Sequence, residues 1–170
     1  MNGYIERARA WMLAGLLGLA LAACTGDEKV GLSYAAYNHT DEHIVAIVIN
    51  GEGGILDASA HGEGGGVCCV VLPKRWRPGL MATIKWQMDG HWLRDDKGNF
   101  VLKDHDKIFI EGTWKEKTVE VPKYDSSRGI GDFYIHFFPK DEVKVLVAVY
   151  GAGGPDHPYS HPEDELKQSR

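Results

Sequence analysis

Three groups of residues have the types and spacing that could do chemistry. Cys68 and Cys69 are adjacent inside the apolar run Val67–Leu72. A bond between neighbouring cysteines closes an eight-membered ring, a rare and strained arrangement that tends to be labile or regulatory. The pair also reads as two small buried apolar residues. Redox or metal chemistry is a third use, although the two-residue spacer of a zinc knuckle or a thioredoxin-like motif is missing. The second group is Lys74, Arg75, Trp76 and Arg77, framed by Pro73 and Pro78. Three cations around one indole fit a cation–π or anion-recognising loop. They fit equally a rigid connection whose Trp plugs the core while its cations pair with carboxylates. The third group is the eight His. His39, His43, His61, His91, His105 and His136 stand alone, while His157 and His161 are four apart. Pro158 and Pro162 break the helix that would put those two on one face, so no metal site is expected. Asp104-His105-Asp106 has the composition of a carboxylate-oriented base but reads as a solvated loop.

Nucleophile signatures are absent: there is no Gly-x-Ser-x-Gly elbow, no P-loop and no His-Glu-x-x-His. The chain is therefore expected not to be an enzyme. The formal charge of -5 argues against a polyanion partner, because neutralising phosphates needs an excess of Lys and Arg. With 44% hydrophobic residues the chain is too apolar to be disordered.

These groups need elements to hold them, and the first residues supply none. Arg7 and Arg9 precede an uncharged run, Ala10–Ala23. Fourteen residues span only about 21 Å as a helix, short of a bilayer's core of roughly 30 Å, and suit the apolar region of a signal peptide. The run ends in Leu21-Ala22-Ala23-Cys24, which resembles the bacterial lipobox. The resemblance implies that Cys24 carries a diacylglyceryl group and opens the mature protein. Thr25 stands where Asp commonly retains a lipoprotein in the inner membrane. By that resemblance the outer membrane is favoured, with the domain facing the periplasm. Cleavage would leave 147 residues with a charge of about -6, enough for a self-sufficient core. The organisation expected is a signal peptide over 1–23, a polar tether over 24–31, a β domain over 32–150 and a Gly/Pro/His-rich tail over 151–170.

Within the β domain, short strands separated by turn signals are expected. Leu32–His39 and His43–Asn50 are rich in Tyr, Val and Ile, and the second is apolar on both faces, as in a central strand. Gly51–Gly66 holds seven Gly and reads as one long loop. Met81–Met88 alternates apolar and polar residues and is followed by the hairpin signal Asp89-Gly90. Strands return at Lys107–Ile110, Trp114–Val121, Asp132–Phe138 and Val143–Tyr150, the last with four Val at period two. Eight or nine short strands predict a mainly β protein, an antiparallel sandwich or partly open barrel. Glu163–Gln168 allows one or two helical turns.

The motifs as a set carry a second resemblance. After the lipobox come Tyr34-x-x-Tyr37-Asn38-His39-Thr40, an Ile/Val strand ending in Asn50-Gly51, Gly65-Gly66-Val67-Cys68-Cys69, and Trp76-Arg77-Pro78-Gly79. Together they resemble a family of proteobacterial lipoproteins known mainly as a domain of unknown function. Members often sit beside type VI secretion lipase effectors and are taken to be their immunity proteins. The resemblance implies a protein partner, a secreted lipase, and no cofactor beyond the covalent lipid. The expected contact surface comprises Glu52 and Glu63 of the Gly-rich segment, Lys74, Arg75, Trp76 and Arg77, and Asp95 and Asp96. A structural or assembly lipoprotein, and a redox- or metal-responsive one using Cys68 and Cys69, are the alternative readings.

Overall fold

The computed structural model describes residues 27–52, 57–127 and 129–168. Cys24 and the segment 1–23, expected to be a signal peptide, lie outside the described residues. Among the described residues eleven strands are present, in chain order: β1 (Lys29–Asn38), β2 (Ile44–Ile49), β3 (Glu63–Pro73), β4 (Met81–Met88), β5 (His91–Trp92), β6 (Leu102–Lys103), β7 (Asp106–Lys107), β8 (Phe109–Ile110), β9 (Thr113–Glu120), β10 (Asp132–Phe138) and β11 (Glu142–Ala148). One helix, α1 (Pro162–Gln168), follows in the tail. The protein is mainly β, and four of its strands are only two residues long, which carries the count past nine.

A four-stranded sheet, ordered β11-β10-β1-β3, faces a three-stranded sheet, ordered β2-β4-β9. Alternation decides what lies between them. Phe133, Ile135 and Phe137 of β10 point inward with Leu32, Tyr34 and Ala36 of β1, against Ile47 and Ile49 of β2 and Ala82, Ile84 and Trp86 of β4. Trp86 and Phe137 meet across the layers at 5.3 Å between ring centres. Pairing is antiparallel throughout both large sheets except between β1 and β10, which run parallel.

Three local expectations change. First, β3 begins at Glu63, so Gly64, Gly65 and Gly66 are strand and not loop. The register shows how the glycines are accommodated. Tyr34 pairs with Val67 and Ala36 with Gly64, so Gly65 and Gly66 together oppose Ala35 alone. Leu32 pairs with Val70, so Cys68 and Cys69 together oppose Ser33. The Gly-Gly-x-Cys-Cys motif is thus two successive β-bulges on an edge strand, a device that twists an edge away from unwanted pairing. Second, β2 lies at the edge of its sheet, and its second apolar face is half-buried and spent elsewhere, as described below. Third, Asp89-Gly90 makes no hairpin. The chain leaves the sheet there and forms an arm over residues 91–110, built from β5 paired with β8 and β6 paired with β7, before returning as β9. The true two-residue turns of this region are Asn50-Gly51, between Ile49 and Glu52, and Asp104-His105, between Lys103 and Asp106. All four turn residues have positive φ, the signature of the hairpin turn that matches strand twist.

Candidate functional site

The arm does not lie flat on the sheet, and the space beneath it is a groove of about 950 Å³. Its floor is Val45 and Ala46 of β2, Gln87 of β4 and Gly90; its wall is Trp92, Leu93 and Phe109 of the arm. This is where the second apolar face of β2 goes. Gly90 is required at the joint, since a Cβ there would stand 2.7 Å from both Phe109 and Val45. His43, Asp57, His91 and Arg94 form the rim, with His43 Nε2 3.0 Å from the Asp57 carboxylate.

Buried polar and aromatic groups brace the arm. The hydrogen-bonding geometry assigns the Gln87 amide oxygen to accept from Trp114 Nε1 at 3.1 Å and from the Gly112 backbone N–H at 3.2 Å. Phe100 lies between the Arg94 guanidinium, 3.9 Å from its centre, and the Lys107 ammonium, 4.0 Å away. The arm and the start of β9 beside it are apolar yet open: Trp92, Phe109 and Ile110 of the arm and Trp114 of β9 are between 37 and 47% exposed. Trp92 and Phe109 pack edge-to-face at 5.2 Å. Exposed aromatic and aliphatic side chains grouped around a groove mark an interaction surface.

The residues expected from sequence to bind a partner are not gathered in one place. Glu52 is an exposed residue of the Asn50-Gly51 turn. Glu63 starts β3, and its carboxylate is 3.3 Å from His161 Nε2 of the tail. Lys74 to Arg77 follow the other end of the same strand, which with its two bulges spans the eight steps from Lys29 to Tyr37 of β1, roughly 26 Å away. There Lys74 pairs with Glu28 at 2.9 Å and Arg77 with Asp27 at 3.0 Å, while Trp76 donates its indole N–H to the Val121 carbonyl at 2.9 Å and packs on the core. Arg75 is exposed. Of the two readings of this loop, the rigid connection describes its contacts. Asp95 is a turn-former: its carboxylate accepts from the N–H groups of Lys97 and Asn99, and the Asn99 bonds above all hold its acid below the usual carboxylate range. Asp96 is exposed on the same turn. Cys68 and Cys69 are joined through their sulfurs, with Cys68 exposed and Cys69 half-buried.

A second polar constellation lies on the opposite side, and the sequence reading missed it. His39 and His136, far apart in the chain, meet at 3.0 Å, Nε2 to Nδ1, and the other His39 nitrogen is 3.0 Å from the Glu165 carboxylate. His157 joins them at 5.1 Å between ring centres. His136 is fully buried. Burial first, then the neighbouring imidazoles and Lys144, push its imidazole down to about 2. The only signal available in the sequence was Tyr134-x-His136-x-Phe138, an outward face of β10 too aromatic to be left in water. Among the described residues no group of three or more His, Cys, Asp or Glu side chains is arranged to hold a metal ion.

A family model described as a protein of unknown function (DUF3304) matches residues 37–145. The chain belongs to that family. The matched span runs from the end of β1 into β11, so it contains the groove, the arm, the paired cysteines, His39 and His136. The tail that brings His157 and Glu165 lies beyond it. No curated protein and no solved structure matches the chain.

Proposed function

We propose that the protein is a lipid-anchored binding protein of the periplasm, held on the outer membrane through Cys24, that neutralises a cognate type VI secretion effector of phospholipase type by occluding it. The observation that carries the binding role is the arm. Four large apolar side chains stand open beside a groove floored by β2, on a scaffold braced by Gln87 and by the cation–aromatic stack at Phe100. Anchoring of this kind, aromatic side chains over a pocket with a charged rim, is what protein interfaces concentrate their binding energy on. Occlusion needs no catalytic group of its own. The acidic charge of the chain suits steering toward a basic patch on a partner. The identity of the partner rests on the resemblance of the Gly-Gly-x-Cys-Cys and Trp-Arg-Pro-Gly motifs to immunity lipoproteins.

The test is co-purification with the product of the neighbouring effector gene, together with protection of cells that express that effector in the periplasm. Stable capture and restored growth are expected. Neither capture nor protection with that product would remove the immunity role.

A further inference from the structure

The tail from Gly151 to Gln168 is laid over the outer face of the four-stranded sheet. Its contacts are specific. The Ala152 N–H donates to the Tyr37 hydroxyl at 3.1 Å, and the Gly153 N–H to the Tyr159 carbonyl at 3.0 Å. The Tyr159 ring sits 4.6 Å from His136, and His157 lies edge-on to Tyr134 at 5.5 Å. Ser160 donates to Glu165, whose other oxygen meets His39. Beneath the tail, Tyr37 stacks on His136 and His39 stacks on Phe138.

Proton positions in this cluster are constrained by geometry. With His39 neutral, its Nδ1–H donates to the Glu165 carboxylate and its Nε2 accepts from His136 Nδ1–H. One further proton fits, on His39 Nε2: the Nδ1–H still faces Glu165, and His136 Nδ1 accepts once its own proton has moved to Nε2. A proton on His136 as well sets N–H against N–H across 3.0 Å. His157 is held similarly. Its Nδ1 is 3.1 Å from the Tyr159 carbonyl, and its Nε2, like that of His136, is buried with no partner. Charging His157 would add an unmatched buried donor.

The groups around these rings offer little relief. They are Tyr37 from β1, His39 from the turn after it, Tyr134 from β10, and Lys144 from β11 with its partner Glu142. From the tail come Tyr159, Glu165 and His161, the last paired with Glu63 of β3. Lys144 already places a cation 5.2 Å over Phe138 and 5.6 Å over Tyr159.

We propose that the tail is an acid-released strap, held on the sheet while His136 and His157 are neutral and lifted when they take up protons, uncovering the Tyr37, Tyr134 and Phe138 face. Burial depresses both imidazoles in the docked state, His136 to about 2. A group depressed on docking contributes fully above its free value, near 6.5 for histidine, and loses that contribution as pH falls. For His136 this weakens docking about tenfold per pH unit below 6.5, or roughly 30-fold at pH 5, and His157 acts in the same direction.

Amide hydrogen exchange on the whole protein, expressed as protection factors so that the intrinsic pH dependence of exchange is removed, tests this. The tail amides of Ala152, Gly153 and His157 are expected to lose at least tenfold in protection between pH 7.5 and pH 5 and to stay well below Ile135 in β10, which exchanges only when the domain unfolds. His157→Phe, which removes one titrating ring, should flatten the slope. Glu165→Gln, which leaves His39 facing a neutral acceptor, should lower tail protection already at pH 7.5. Equal tail protection at both pH values in the unaltered protein would overturn the proposal. So would tail protection equal to that of Ile135 at both pH values, because the tail would then open only when the whole domain unfolds.

Discussion

Replacing Trp76 by Phe separates a structural plug from a binding residue. In the structure the indole N–H donates to the Val121 carbonyl at 2.9 Å, and Val121 is fully buried. Phe keeps most of the packing and removes the donor, leaving that carbonyl without its partner. An unsatisfied buried acceptor costs about 1–3 kcal/mol. Ala would also leave a void where a half-buried indole packed, about 3 kcal/mol, at the low end for Trp→Ala because the ring is only partly enclosed. By contrast, Lys74 and Arg77 pair with Glu28 and Asp27 in solvent, and exposed pairs of this kind contribute about 0–1 kcal/mol. Urea unfolding with a shared slope should therefore show Trp76→Phe losing about 2 kcal/mol, equivalent to roughly 4–8 °C in Tm, with Lys74→Ala and Arg77→Ala close to the parent. Partner capture should be unchanged in all three once they are compared folded. The reasoning is refuted if Trp76→Phe unfolds within about 0.5 kcal/mol of the parent. It is equally refuted if Trp76→Phe abolishes capture while stability holds, which would return the loop to the interface.

Other outcomes follow from the arm, from its joint and from the buried histidine. Phe109→Asp should weaken capture of the partner at least tenfold, read by surface plasmon resonance on folded protein, with a stability loss of about 1–3 kcal/mol because the residue is only 37% exposed and packs on Trp92. Gly112→Ala should destabilise by more than 2 kcal/mol in the same urea assay, since a Cβ there would overlap the Met88 carbonyl, which is backbone and does not yield. Acid sensitivity should be tied to His136. Its imidazole is pushed down to about 2, so stability is full above about pH 6.5 and falls as pH drops. In His136→Phe the decline in Tm between pH 7 and pH 5 should be shallower than in the parent, and an identical decline would exclude His136 as its source.

The comparison of residues with their final places separates two kinds of information. Strand alternation is written locally, because successive side chains point to opposite faces whatever the partner. Met81–Met88, and Asp132–Phe138 with its inward Phe133, Ile135 and Phe137, were therefore legible, as was the mainly β class. The turn chemistry of Asn50-Gly51 is local too, but read along the chain it marks the end of a strand and the start of one long loop. The Gly-rich stretch was half legible: its glycines were visible, but only the pairing with β1 shows that Gly65-Gly66 and Cys68-Cys69 are each two residues set against one. The apolar second face of β2 was visible too, yet whether another strand or an arm covers it is a question of sheet order.

Nothing in the composition or spacing of the eight His brings His39, His136 and His157 together. His39 follows β1, His136 lies in β10, and the parallel pairing of those two strands places Tyr37 directly beside His136. The tail then closes over both. Such contacts arise from register between segments about a hundred residues apart, which no local period encodes. The sequence by itself determined the class of fold, the alternation of its core strands and the acidic charge of the chain. The tertiary structure alone decided that the cationic loop clamps its own chain, that an arm raises a groove over β2, and that three isolated histidines share one buried site. The physical reason is the same in each case: burial patterns are set residue by residue, whereas sites are set by which distant strands become neighbours.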